Sequence, residues 1–225
     1  MIKVSRRQKP LILANKETEW KKAYMDARDK YSTNPSKENK TKVQAAESKY
    51  NQKKIKSELR LMFLDKCAYC ESSISHIDYG HIEHFRPKSK FPELCFEWEN
   101  LLLACGICNS TAYKGDKFPE HDEGGPFVNP VSDNPDEFFN FEFDPQTGTA
   151  NVTPKNIQAI TTEKELGLNR PELVSVRSKT VRMMAFIALK AKEGDEDAAT
   201  EFRKYCQPDY MYSAFAKTLA ERFQL

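Results

Sequence analysis

Cys67-Ala68-Tyr69-Cys70 and Cys105-Gly106-Ile107-Cys108 are two Cys-x-x-Cys knuckles, with the 34 residues 71–104 between them. A gap of two residues lets both thiolates of a knuckle turn toward one ion. Two knuckles together supply the four sulfurs of a tetrahedral, structural Zn²⁺ site at Cys67, Cys70, Cys105 and Cys108. A redox Cys-x-x-Cys accounts for one knuckle and leaves the second without a purpose. Cys95 and Cys206 fall outside the pattern and read as buried free thiols.

The segment between the knuckles is longer than a plain zinc ribbon needs, so something is built inside the clip. Three of the four histidines, His76, His81 and His84, lie there. His84 follows Glu83 directly. A carboxylate beside an imidazole suits phosphodiester hydrolysis, because one group can hold a divalent metal while the other takes a proton from water. An adjacent Glu and His are also common on ordinary surfaces, so the pair gains meaning only from its surroundings.

Those surroundings are ordered. Glu83-His84 precedes Pro87, then Asn100-Leu101, then Cys105-x-x-Cys108-Asn109. From Cys67 to Lys117 this resembles the HNH family, the ββα-metal nucleases. A finer resemblance is to PtuB, the HNH subunit of Septu and retron-associated anti-phage defence systems. It rests on Cys-Ala-Tyr-Cys-Glu at 67–71, Ile-Glu-His-Phe-Arg-Pro-Lys at 82–88, Lys-Phe-Pro at 90–92 and Trp-Glu-Asn-Leu at 98–101.

The resemblance implies an α+β fold, a ββα-metal core flanked by an N-terminal helical hairpin and C-terminal helices. It implies His84 as general base and Glu83 and Asn109 as ligands of a catalytic Mg²⁺ or Mn²⁺. Asn100 is expected to hydrogen-bond the loop backbone and hold His84. Many family members carry His where Asn109 stands, at the start of a helix. A neutral carbonyl oxygen there favours a harder metal than an imidazole does. The resemblance also implies nucleic acid, DNA above all, as substrate and a PtuA-like ATPase subunit as partner.

His81 lies two residues before Glu83 and so shares its face on a strand. It reads as an extra metal ligand, a phosphate contact or a structural histidine. His76 and His121 read as structural. Arg86, Lys88, Lys114 and Lys117 are expected phosphate contacts, since cations near a scissile bond neutralise the backbone. Ordinary surface charge is the alternative for at least one of them.

Other elements must hold these groups in place. Residues 1–66 read as a helical extension. Trp20, Ala23, Tyr24, Ala27 and Tyr31 form one helical face, and a break at 32–36 leads into a second helix expected over 37–64. Residues 67–118 carry the nuclease core. Residues 119–225 begin with an acidic loop. A hairpin is expected from the alternation at 138–143 and a strand near 149–152, joined by Asp144-Pro145-Gln146-Thr147-Gly148. Thr162-x-x-Glu165 reads as a capping box, and helices follow at about 172–193, 195–206 and 209–223.

The net charge of +2 hides an asymmetry. Residues 1–66 hold 18 Lys and Arg against 8 Asp and Glu, while 119–154 hold 8 acids and no Lys or Arg. The basic part could face a phosphate backbone, or be a solvated helical surface. No apolar run is long enough to span a membrane and no secretory leader is evident, so a cytoplasmic protein is expected, where cysteines serve metals rather than disulfides. Two other readings stand beside the defence nuclease. One is a zinc-dependent binding module, which has no need of Glu83, His84 and Asn109 together. The other is a stand-alone HNH restriction enzyme.

Overall fold

The computed structural model describes residues 1–74 and 78–225; His76 lies outside the described residues. The chain opens with α1 (Leu11–Thr33), which buries Leu13, Trp20 and Tyr24. Ser36 starts α2 (Lys37–Glu47), its side chain accepting a hydrogen bond from the Asn39 backbone N–H.

The helix expected over 37–64 is in fact two. A 3₁₀ turn, Ser48–Tyr50, follows α2, and α3 (Lys53–Phe63) begins afresh. The reason lies in the spacing of apolar residues. At roughly 100° per residue, Ile55 falls about 180° from Ala46 on a straight helix. The group Val43, Ala46 and Tyr50 and the group Ile55, Leu59, Met62 and Phe63 would then face opposite ways. Breaking the helix lets both groups reach the core.

Beyond α3 comes the first knuckle, then β1 (His81–His84), antiparallel to β2 (Leu101–Ala104). The register sets His84 opposite Leu101 and Glu83 opposite Leu102. Gly80 enters β1 at φ +67°, and a Cβ there would lie 3.1 Å from Leu103 Cδ1, so the residue before this strand is held to glycine on two counts. The segment after the second knuckle, expected to open a helix, is instead a run of hydrogen-bonded turns. Its Asn109-Ser110-Thr111 side chains compete with a helical backbone, and Gly115 weakens it further.

Next comes α4 (Pro135–Phe138), leading into the hairpin of β3 (Phe139–Asp144) and β4 (Thr149–Pro154). The hairpin turns Phe139, Phe141, Ala150 and Val152 inward. Four helices complete the chain, α5 (Ile157–Leu166), α6 (Pro171–Lys192), α7 (Glu196–Tyr205) and α8 (Ser213–Phe223). The expected capping box at Thr162 does not form. Asn156 caps α5, and Thr162 sits inside the helix, accepting from the Val128 N–H and donating to the Gln158 carbonyl. All three sequence regions contribute to one core. Among the described residues no helix is long and apolar enough to cross a membrane.

Candidate active site and metal centre

The knuckles close on each other. The sulfurs of Cys67, Cys70, Cys105 and Cys108 all lie within 4.8 Å of one another, and all four residues are buried. Four convergent thiols without disulfide geometry fit a tetrahedral zinc site. In the bare protein, burial raises the Cys67 thiol, while hydrogen bonds from the other three cysteines lower Cys70.

Arg170 is a site residue that sequence reading passed over. Both of its terminal nitrogens lie 3.6 Å from Cys108 Sγ. Its guanidinium also sits 5.0 Å from the Tyr113 ring centroid. Tyr113 in turn packs on Gly167, where a Cβ would come within 2.2 Å of the ring. A buried cation suits a centre whose four thiolates exceed the charge of one Zn²⁺ by two.

Inside the clip, Glu83 and His84 are both buried. Glu83 Oε1 accepts from the Tyr69 hydroxyl at 3.2 Å and pairs with Lys114 Nζ at 2.9 Å. Burial lifts the Glu83 carboxyl above its ordinary range, and Lys114 works against that lift. Oε2 accepts no hydrogen bond among the described residues. His84 Nε2 lies 2.9 Å from the Cys95 carbonyl oxygen. A carbonyl only accepts, so Nε2 carries the proton and Nδ1 holds the free lone pair. Burial pushes the imidazole pKa down to about 4, helped by Lys88 and Lys114 and opposed by the Cys95 bond.

Asn100 ties down the loop after β1. Its Oδ1 accepts from the Arg86 N–H at 2.8 Å, and its Nδ2 donates to the Arg86 carbonyl at 3.0 Å and the Leu94 carbonyl at 3.2 Å. Cys95 follows Leu94, so one amide braces both ends of the segment that holds His84. Asn109 is half-buried just past the second knuckle, and its side chain makes no hydrogen bond among the described residues. A free carboxylate oxygen on Glu83 and a free amide oxygen on Asn109 are hard donors. They fit a cation that keeps most of its own water.

The expected phosphate contacts divide. Lys114 is not at the surface. Its side chain is 0% exposed and bonds Glu83 Oε1 and the His84 carbonyl, so the expectation of a phosphate contact there is corrected. Lys88 pairs with Glu47 Oε1 at 3.4 Å and Lys117 with Glu165 at 2.9 Å. Arg86 is exposed, its guanidinium over Phe91 and Phe118. His81 is half-exposed, 3.6 Å from Asp78, and makes no bond to Glu83. His121 is exposed in a short 3₁₀ turn. Cys95 is buried as expected, whereas Cys206 is only half-buried.

Comparison with known proteins now bears on this geometry. Residues 67–115 match the family model described as HNH endonuclease. These residues are thus similar to an HNH endonuclease domain. The match spans both knuckles, β1, β2 and Lys114. Beyond the HNH domain, the chain is 28% identical over 208 residues to a Septu protein PtuB of Bacillus mycoides (strain KBAB4), covering 81% of this chain and 68% of that protein. A PtuB of Bacillus thuringiensis is 35% identical over 94 residues, 41% of this chain and 35% of its own length. A retron protein of Vibrio cholerae serotype O1 biovar El Tor, named for an HNH endonuclease, is 28% identical over 158 residues, 67% of this chain and 74% of its own. The similarity to the first and third of these thus extends well past the HNH domain into the helical regions.

Proposed function

We propose that this protein is a metal-dependent endonuclease that hydrolyses phosphodiester bonds of DNA, acting as the effector of an anti-phage defence complex. The observation that carries the reading is the His84–Cys95 bond, which leaves Nδ1 of a buried, neutral imidazole as a base next to Glu83 in an HNH domain.

His84 Nδ1 takes a proton from the attacking water, and the Cys95 carbonyl holds the imidazole in the tautomer that allows it. Glu83 and Asn109 would hold Mg²⁺ or Mn²⁺, which when bound offsets negative charge developing on the phosphate and the leaving oxygen. Asn100 fixes the loop. Arg86, with Lys88 and Lys117 once freed from their carboxylates, contacts the strand. His81, half-exposed, is a further phosphate contact. The Cys67, Cys70, Cys105 and Cys108 centre carries Zn²⁺ and ties the entry and exit of the catalytic insert together. We place the protein in the cytoplasm with a PtuA-like ATPase as partner, since two relatives are named Septu PtuB proteins.

The test is cleavage of plasmid DNA by wild type and His84→Ala, with and without Mg²⁺ or Mn²⁺, alone and with the ATPase subunit. Metal-dependent nicking by wild type, reduced about 10²–10⁴-fold in His84→Ala, is expected. Cleavage of RNA alone would replace the substrate. Cleavage of neither, by protein holding one zinc, would move the reading to a binding module.

A further inference from the structure

The HNH domain ends at residue 67 on its N-terminal side, yet the two contacts that orient His84 both lead back into residues 11–50. The rings of Tyr50 and His84 meet edge to face, with centroids 4.6 Å apart and planes at 85°. Tyr50 sits in the 3₁₀ turn that interrupts what would otherwise be one helix. Its ring is held in turn by Lys88, whose Nζ lies 5.7 Å from the Tyr50 centroid. Lys88 pairs with Glu47, and Glu47 Oε2 accepts from the Tyr24 hydroxyl at 3.1 Å.

The second contact is the Cys95 carbonyl. Phe96, the next residue, is fully buried and packs against Trp20 at 5.9 Å and Tyr24 at 6.0 Å, both on α1. Tyr24 therefore stands behind both contacts, through Glu47 on one side and Phe96 on the other.

A single hydrogen bond at Nε2 leaves an imidazole free to pivot about that bond. A second contact across the ring removes the freedom. We propose that Tyr50 is a positioning residue for His84, and that α1 and the 48–50 turn belong to the catalytic framework. The inference rests on His84 being the base. Tyr50 acts through its ring and not through its hydroxyl, which makes no hydrogen bond among the described residues.

The variants are Tyr50→Phe and Tyr50→Leu, with Tyr50→Met as a second ring-free substitution should Leu fail to fold. Phe is expected to keep kcat within about 3-fold of wild type. Leu or Met is expected to lower kcat about 10–100-fold with KM for the nucleic acid unchanged, the scale of a misplaced reacting group. A second readout needs no activity. Nitrogen-15 NMR of the imidazole in zinc-loaded protein at neutral pH should show one tautomer, Nε2–H, in wild type and Tyr50→Phe, and a mixture in the ring-free variants. A single tautomer and wild-type kcat without the ring would overturn the proposal. Were wild type to cleave nothing, the nuclease reading and the catalytic framework would fall with it, while the NMR comparison would still decide whether Tyr50 fixes the His84 ring.

Discussion

His84 Nε2 and the Cys95 carbonyl oxygen lie 2.9 Å apart, and this contact decides which nitrogen of the imidazole can accept a proton. It also joins the end of β1 to the loop that returns toward β2, so one of the two contacts that orient the imidazole comes from the backbone.

As the proposed base, His84 should work in unusually acid solution. Burial, with Lys88 and Lys114 adding to it, brings the His84 pKa down to about 4. Only the neutral imidazole accepts a proton, so activity is lost as pH falls through the pKa of the folded protein, near 4, rather than through the ordinary imidazole value of 6.5. A bound cation pushes the same way. The expected profile of kcat at saturating metal is flat from about pH 8 to about pH 5. A limb centred near 6.5 would show an imidazole open to water.

Lys114→Met should destabilise the protein rather than merely weaken binding. Removing one partner of a fully buried ion pair leaves Glu83 to stay buried as an unpaired charge or take up a proton, which costs about 3–5 kcal/mol. Urea unfolding of zinc-loaded protein, without Mg²⁺ or Mn²⁺, measures this. The double variant Glu83→Gln/Lys114→Met should recover part of the loss, and additive losses would show that the pair is not coupled.

Zinc removal should unfold the catalytic insert. Cys108→Ser, or wild type treated with a strong chelator, is expected to lose its one zinc and melt at least about 10 °C lower, because metal binding here is folding free energy. Metal content by mass spectrometry and a thermal melt test it together. An unchanged melt at zero zinc would remove the structural role.

Arg170→Met should loosen the same centre without touching the catalytic residues. Loss of a hydrogen-bonding neighbour typically lowers metal affinity about 10–100-fold. Competition with a chromophoric chelator should show that drop, and equal retention would make Arg170 a packing residue only.

Much of this was readable in advance because it is local. Two Cys-x-x-Cys knuckles converge because short spacing and one ion leave few other arrangements. The β3–β4 hairpin follows from alternation in Phe139–Phe143 and a turn rich in Gly and Pro. What stayed hidden depends on distant pairing. Lys114 looks like any basic residue in sequence, and only the fold aims it at Glu83. Arg170 lies 62 residues from Cys108, and nothing in its sequence surroundings ties it to a cysteine. Tyr50 falls inside the helix expected over 37–64, where it is one more apolar position. The opposed apolar faces of 43–50 and 55–63 were a visible sign that the helix must break, and the break is what delivers Tyr50 to His84.

The Glu83–Lys114 pair has a consequence for how such a protein is made. A pocket that kept an anionic ligand bare would be hard to fold before its ion arrived. Here an internal ammonium occupies the electrostatic role beforehand, so the chain can be synthesised and stored without catalytic metal. On the proposed reading, activation is the arrival of a second cation beside Lys114 in a finished structure. The free energy of taking up Mg²⁺ or Mn²⁺ is then reduced by the neutralisation that Lys114 has already provided, so metal affinity is modest and activity follows the free concentration of the ion.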